Sequence, residues 1–453
     1  MRRLLLAAAV WASGCSAVLD FHECDVSADC ASRQPDGGAP LYCNFDHQCV
    51  DTTPCQISVA ADPKLAGTPL VVAGLYKLTR LSPDDPDDHA IAQASDLAAS
   101  ELNDRLGVPV THVRCDTAGD PAQAARAYSV AVKQFHAVAV VGPDTSGEVI
   151  KGVAPLVKPL GAVVVSPSAT NPAIAALDDA NLIWRTCPSD NLQAKVLATL
   201  VPSTATLDIV YVQGNTYAEG LRDAFIAASG RQDALPIGFA SGSASSAVQQ
   251  MNAPAYALLI ADVDAPALVQ ALDGAPGQGM TQYLMTDSAL APTLWGNAPY
   301  DFTFLQRIRG TAPALPAFTD ASGPVYATFA TSYKAKFNGE DPADTAFVAN
   351  AYDAFYAIAI AAGALGGAPT GAQIAARLGT VSDPAAPAVT VGPNAYTNAV
   401  GTLANGTINL VGTSGPIDFD GNGDVVSAPI EVWHVAAGSN GAPTFNVDAV
   451  ETP

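Results

Sequence analysis

The chain has 453 residues, 49% of them hydrophobic and 14% charged, with a formal net charge of -22. That length and apolar share suffice for two or more globular units and exclude a disordered chain. The acidity excludes nucleic acid and anionic membrane surfaces as partners, since either would need Lys and Arg to neutralise phosphate. It is spread along the chain, which suits solubility.

Arg2 and Arg3 precede a short apolar run, 4–10, and Ala12-Ser13-Gly14-Cys15 then places small residues before a cysteine. The run is too short to span a bilayer as a helix, so residues 1–14 are expected to be a secretory signal. Its end resembles a bacterial lipobox, with Ala12 where Leu is commoner. The resemblance implies cleavage before Cys15 and lipidation of its thiol, several acyl chains at about 0.8 kcal/mol per buried methylene giving a firm anchor. Ser16 in second place favours the outer membrane; an ordinary cleaved signal with an incidental cysteine is the alternative. No later segment is expected to be long and apolar enough to cross a membrane.

Residues 15–60 form a distinct loop-rich stretch carrying Cys24, Cys30, Cys43, Cys49 and Cys55. In an oxidising compartment it reads as a small disulfide-stapled tether. Five-residue gaps separate Cys24 from Cys30, Cys43 from Cys49 and Cys49 from Cys55, whereas zinc ribbons want two-residue gaps and matching His, so no metal is expected. Four of the five can pair locally in a connectivity the sequence leaves open. The remaining pair is expected to be Cys55 with Cys115, because Cys55 enters the first strand of the main domain and Cys115 ends the second. Cys187 is then a free, buried thiol.

From Leu70 the chain alternates strand and helix. The pattern predicts strands at 70–75 and 108–114 around a helix over 91–103, and a helix capped by Asp120 with Pro121 in its first turn. The central stretch, 137–170, carries two β-branched runs too apolar to be half-exposed, 137–141 and 162–165, each followed by a turn rich in Gly, Pro, Ser and Thr. Between them Ser146 is expected to cap a helix whose Val149, Val153 and Val157 recur at helical spacing. Carboxyl ends of parallel strands face a crevice, and a helix start favours a carboxylate or phosphate. Ser168 and Thr170 would close the same crevice; the alternative is that Ser146 only caps and Ser166, Ser168 and Thr170 only build a turn. Asn171-Pro172 is expected to start the next helix and 182–185 to be a strand.

The pattern then restarts, with strands at 206–212, 255–261 and 282–285 and helices over 217–228 and 265–272. Helices follow at 325–337 and 345–365. A Gly, Pro, Thr and Asn-rich stretch at 382–405 leads to a last strand, 429–435, which needs a sheet edge to join. The expected fold class is α/β, with two β-α lobes facing one cleft.

Seven short motifs, in this order, resemble the type I periplasmic solute-binding proteins, the family of the leucine/isoleucine/valine-binding component of ABC importers. They are Glu101-Leu102-Asn103; Asp116-Thr117 with Asp120-Pro121; Val141-Gly142-Pro143 with Ser146; Ser166-Pro167-Ser168-Ala169-Thr170; Trp184-Arg185-Thr186 with Pro188-Ser189-Asp190; Tyr352-Asp353-Ala354; and Ser414-Gly415-Pro416 with Phe419-Asp420. The resemblance covers residues 68–440. It implies two doubly wound lobes around a ligand cleft, joined by three hinge crossings near Thr186, Gly310 and Thr413. Residues 61–185 and 311–413 would form one lobe, and 186–310 with 414–453 the other, closing on the ligand by a hinge motion.

Carried over by motif, the resemblance places Ser146 at the position that binds a ligand α-carboxylate. Ser168 and Thr170 fall where carboxylate and amino group are gripped. Tyr217 matches an aromatic contact and Asp287 the acidic partner of the ammonium. One carboxylate opposite a hydroxyl-rich helix end suits a zwitterion, with charge-assisted bonds worth about 1.5–3 kcal/mol each. Tyr217 as a core residue, and Asp287 as the cap of its own turn, are the structural alternatives. Several positions depart from the pattern: Lys77 replaces a usual Pro, Arg80 a Gly, the acidic loop 82–89 lacks a covering aromatic, and a second-lobe aromatic is missing near Asp262. These departures shift the expectation away from a branched aliphatic ligand. Lys77 and Arg80 are either solvated loop charges or partners of a further ligand anion.

The sequence carries no Gly-x-Ser-x-Gly elbow, Walker loop or His-Glu-x-x-His, so no enzyme activity and no cofactor are expected. Asp420-Gly421-Asn422-Gly423-Asp424 looks like part of a calcium loop but lacks its distal Glu. The leading expectation is a lipid-anchored binding protein serving an ABC permease with an amino-acid-like solute. A ligand-sensing receptor lipoprotein and an orphan surface lipoprotein are the alternatives.

Overall fold

The computed structural model describes residues 23–25, 27–33, 41–44, 46–79, 88–273, 275, 279–290, 302–316, 322–438 and 443–453. The leader, Cys15, Arg80 and residues 82–87 lie outside these. Two compact units divide the chain after Thr52.

The first unit is held by sulfur. A 3-10 helix, Ser27–Arg33, accompanies a hairpin of β1 (Leu41–Cys43) and β2 (Cys49–Asp51), which sets Cys43 opposite Cys49. Cys24–Cys43 and Cys30–Cys49 are bonded, and Cys24, Cys30 and Cys43 are its buried apolar cluster. Too little apolar surface exists here for any other core.

The second unit contains two doubly wound sheets. The first has the order β3 (Cys55–Val59), β5 (Val110–Asp116), β4 (Leu70–Tyr76), β6 (Ala139–Val141), β7 (Val163–Ser166), β8 (Ile183–Arg185); all neighbours are parallel except the edge strand β3. The second has the order β10 (Leu235–Phe239), β9 (Leu207–Val212), β11 (Tyr256–Ile260), β12 (Gln282–Met285), β13 (Ile308–Pro313), β16 (Ile430–Ala437), β17 (Pro443–Glu451). Its first five strands are parallel and the last two antiparallel. A two-stranded parallel pair, β14 (Ala388–Thr390) and β15 (Asn409–Val411), completes the first lobe. Inner parallel strands such as β4, β6, β7 and β11 are buried nearly throughout, as their apolar runs demand, while the outer β10 is half-exposed.

Three findings differ from expectation. β13 runs through Gly310, where the Trp433 ring lies so close that a Cβ would fall 2.1 Å from it, so the chain leaves this sheet only after Pro313. The last expected strand finds its edge on β13, but a further strand, β17, unforeseen, pairs outside it. The helix Val348–Leu365 is long and apolar enough to span a membrane, yet 83% of that window is buried, and it packs on helix α1 (His89–Leu106) as the core helix of the first lobe.

Cys55 opens β3 directly opposite Cys115 on β5, and the two are bonded, both buried. Cys187 is free and buried. The Cys55–Cys115 bridge spans 60 residues of sequence, a closure worth about 4 kcal/mol in the chain-entropy account. Changing both to Ala is expected to lower the unfolding free energy by that amount in urea titration; a loss under about 1 kcal/mol would mean that β3 pairing alone secures this edge.

Candidate functional site

In each sheet the strand order reverses at one place, beside β4 and β6 in the first and beside β9 and β11 in the second. Loops at those carboxyl ends form a crevice. The β6 loop turns at Gly142-Pro143, a cis peptide, where Gly142 takes φ 98° and a Cβ would strike the Leu75 carbonyl. The helix that follows is not capped by Ser146. Thr145 caps it: its Oγ1 accepts from the Glu148 N–H (3.3 Å), while Glu148 Oε2 accepts from the Thr145 N–H (3.1 Å) and hydroxyl (2.7 Å). This is a capping box, and the Thr-x-x-Glu spacing that announces it is present in the sequence. The cap displaces Ser146 into the first turn, where its Oγ accepts from the Asn171 N–H (3.2 Å).

That helix starts as a π turn, Glu148–Val153, before continuing as α3 (Ala154–Leu160). Pro155 and Pro159 supply no N–H, and the wider turn relieves the clash of the Pro155 ring with the carbonyl four residues back. Val149, Val153 and Val157 are all buried, as the spacing predicts. Gly152 rests on helix α2 (Pro121–Gln134), the Pro121 carbonyl lying where a Cβ would stand.

Ser168 donates to the Asp144 carbonyl (2.9 Å). Thr170 is buried, and its carbonyl accepts from the N–H of Asp190, the first residue of helix α4 (Asp190–Thr199). From the second lobe, Tyr217 lies in the first turn of helix α5 (Thr216–Ser229) and donates to Asp287 Oδ1 (2.6 Å); the Asn215 side chain caps that helix. Asn171 does not start a full helix but a single 3-10 turn, Pro172–Ala176. Its amide reaches across to the Thr216 carbonyl (2.6 Å) and lies against Gly220, so the lobes touch here. The structure therefore brings Ser146, Thr170, Tyr217 and Asp287 around one place and turns Ser168 toward Asp144.

The main feature unforeseen in the sequence is buried acid. Burial pushes Asp190 well above the usual carboxylate range, the nearby Asp287 charge adds to this, and the Thr170 hydroxyl and Arg185 oppose it. Burial likewise raises Asp287, against its bond from Tyr217. On the first-lobe wall, burial and the carboxylates of Asp88 and Glu148 raise Asp144, and burial raises Glu148. Burial and the charges of Asp287 and Asp190 keep the Tyr217 phenol protonated. Ser189-Asp190, quoted above as a motif, was the available signal, but a turn aspartate looks the same whether solvated or buried.

Beside Asp287 opens a cavity of about 700 Å³ between the lobes, lined among others by Phe347, Leu315, Glu431, Trp433 and Phe445. It does not include Ser146, Ser168, Thr170 or Tyr217, so Asp287 is the shared wall. Burial raises Glu431 to about 7.

The hinge is built from polar ties. Arg185, fully buried, grips both oxygens of Asp424 (2.5 and 2.7 Å) and donates to the carbonyls of Ala169 (3.1 Å) and Asn171 (2.9 Å). Thr186 and Asn350 exchange side-chain-to-carbonyl bonds. Asp353 accepts from the N–H and hydroxyl groups of both Thr413 and Ser414 at 2.6–2.8 Å. The loop that resembles a calcium site is a turn in which Asp420 Oδ1 accepts from the N–H groups of Asn422 and Asp424, and Asp424 serves Arg185. Lys77 packs its stem on Gly119, and Asp116 shapes the adjoining loop through Leu78, Thr79 and Ala118.

Two doubly wound lobes and polar loops meeting at the switch points define a type I periplasmic solute-binding fold. The chain matches the family model described as "Receptor family ligand binding region" over residues 90–438 and belongs to that family. It is 27% identical over 375 residues, 80% of this chain and 84% of the relative, to the chemotactic signal transduction system substrate-binding protein BasB of Halobacterium salinarum. Its fold is similar to the leucine-binding protein LivK of Thermotoga maritima (TM-score 0.64, 22% identity, 84% of this chain and 98% of that one). It is also similar to the branched-chain amino acid transporter substrate-binding protein LivJ of Streptococcus pneumoniae in complex with isoleucine (0.63, 20%, 85% and 99%). A solute-binding protein of R. palustris in complex with 4-hydroxybenzoate shares the fold as well (0.64, 13%, 85% and 97%). The family is one of ligand-binding regions and not of enzymes.

Proposed function

We propose that this chain is an extracytoplasmic solute-binding protein, held to a membrane by lipid on Cys15, that captures a small amine-bearing, amino-acid-like molecule by hinge closure for an ABC permease. The observation that carries the reading is the meeting of Tyr217, Asp287 and Asp190 from one lobe with Ser146 and Thr170 from the other. A buried carboxylate that accepts from a phenol suits an ammonium group. The Halobacterium relative, named for chemotactic signal transduction, favours a second reading in which the closed form engages a signalling partner.

The test is calorimetry and small-angle scattering of the full chain against amino acids, short peptides, amides and amines. One class is expected to bind and to shrink the radius of gyration. Tyr217→Phe removes the bond to Asp287 and is expected to weaken binding by about 1.5–3 kcal/mol, roughly tenfold to a hundredfold. A panel in which nothing binds would sink the capture reading. Pull-down of a permease or of a signalling protein by the ligand-bound form then separates importer from sensor.

A further inference from the structure

Of the groups expected to hold a ligand's carboxylate, Ser168 already donates to Asp144, and the helix turn after β6 carries the carboxylate of Glu148; Ser146 Oγ accepts from the Asn171 N–H and keeps its own O–H. The nearest arginine, Arg185, is committed to Asp424 and two carbonyls. Against this, Asp144 Oδ2, Glu148 Oε1 and both oxygens of Asp190 are buried without a hydrogen-bond partner. The adjoining cavity is also acidic: its charged lining residues are Asp287, Asp344 and Glu431, with no Lys, Arg or His among the described residues.

Unpaired buried carboxylates are costly, and the deficit is met by a cation or by protons. A ligand carboxylate placed beside an ionised one of them is repelled. Among the described residues, the ligand-type atoms close enough to share an ion belong to Cys24, Cys30 and Cys49, all in disulfides. The cavity's size falls in the range of about 300–1,000 Å³ typical of small-molecule sites, and its aromatic walls suit an apolar body or a cation face.

Resting on the solute-capture reading, we infer that the captured solute is an organic cation: an ammonium compound without a carboxylate, its charge set on Asp287 beside Asp190 and its apolar or aromatic body in the cavity walled by Phe347, Trp433 and Phe445. The ligand is thus selected for its positive charge, and the matching amino acid is discriminated against by the acidic lining of Asp287, Asp344 and Glu431.

Calorimetry with matched sets tests this on the full chain: leucine, 3-methylbutylamine and 4-methylpentanoate; phenylalanine, phenethylamine and 3-phenylpropanoate; norleucine, pentylamine and hexanoate. In at least one set the amine is expected to bind at least about tenfold tighter than its zwitterion, with no binding of the anion. Asp190→Asn and Asp287→Asn are each expected to weaken the amine about tenfold or more while leaving the unliganded melting temperature at or above its original value, since neutralising a strained carboxylate relieves the fold. A zwitterion or anion binding as tightly as its amine would overturn the charge selection and leave solute capture standing. No binding by any member, with no closure in scattering, would overturn both.

Discussion

Asp424→Ala is expected to lower the unfolding free energy by about 3–5 kcal/mol, read as a fall in the urea midpoint with an unchanged slope. The cause is what the substitution leaves behind. Arg185 is completely buried and always charged, and Asp424 is its one anionic partner in hydrogen-bond contact among the described residues. Removing the carboxylate leaves a guanidinium in low dielectric with only two carbonyls, those of Ala169 and Asn171. Those carbonyls belong to the segment that carries Thr170, so the same variant is expected to weaken ligand binding. The double variant Arg185→Met with Asp424→Leu should recover much of the stability, because an apolar pair of similar volume avoids the desolvation penalty. A loss under about 1 kcal/mol in Asp424→Ala would show that water reaches Arg185 and that the tie is dispensable.

Lowering the pH from 7.5 to 5 is expected to raise the melting temperature of the unliganded protein, the reverse of ordinary acid behaviour. Burial raises the carboxyls of Glu101, Asp144, Glu148, Asp190 and Asp287, and it brings Asp353 to about 6. A carboxyl with a raised folded value binds its proton more tightly in the native state, so its stabilising contribution is complete below the ordinary value near 4. It is lost as the pH climbs through the folded value. For Asp353 the rise from 3.8 to about 6 is worth about 3 kcal/mol, fully lost by neutral pH. Carboxylates held low by their partners, such as Asp96 beside His112 and Arg114, act in the opposite sense but only below about pH 4. Differential scanning calorimetry across pH 5 to 7.5 checks this. Asp190→Asn should flatten the profile by raising its neutral end, and a melting temperature that falls on acidification would contradict the assignment of buried, proton-binding acid to the cleft.

Importer and sensor readings make different demands on the same hinge. Both need closure to bury the ligand, and both draw on the Asp353, Thr413 and Ser414 cluster, where one carboxylate collects four donors at the third crossing. Differential affinity of the two forms for the ligand drives the motion. The surface that then meets a permease or a signalling protein is where the readings part.

Much of the architecture was legible from local chemistry. β-branched runs such as Val163–Ser166 have no second way to bury themselves than as inner parallel strands, and they do so. Asp120 before Pro121 caps α2, accepting from Gln123 N–H at 2.8 Å, because an aspartate there satisfies a donor that proline does not waste. The cysteine spacing marked a sulfur-held unit, and Cys55 with Cys115 followed from strand order. Elements with weak patterns were missed, β10 and β17 among them, since half-exposed edge strands carry too few buried positions to announce a period.

The sequence by itself determined the class of fold and the identity of the loops that face the cleft, because propensity, caps and apolar period act over a few residues. Only the tertiary structure decided which charges meet. Arg185 finds Asp424 across 239 positions and Tyr217 finds Asp287 across 70. Asp190, indistinguishable in the sequence from a solvated turn aspartate, ends buried beside Asp287. A carboxylate's character is set by its dielectric surroundings and its neighbours' charges, and both are supplied by packing between distant segments.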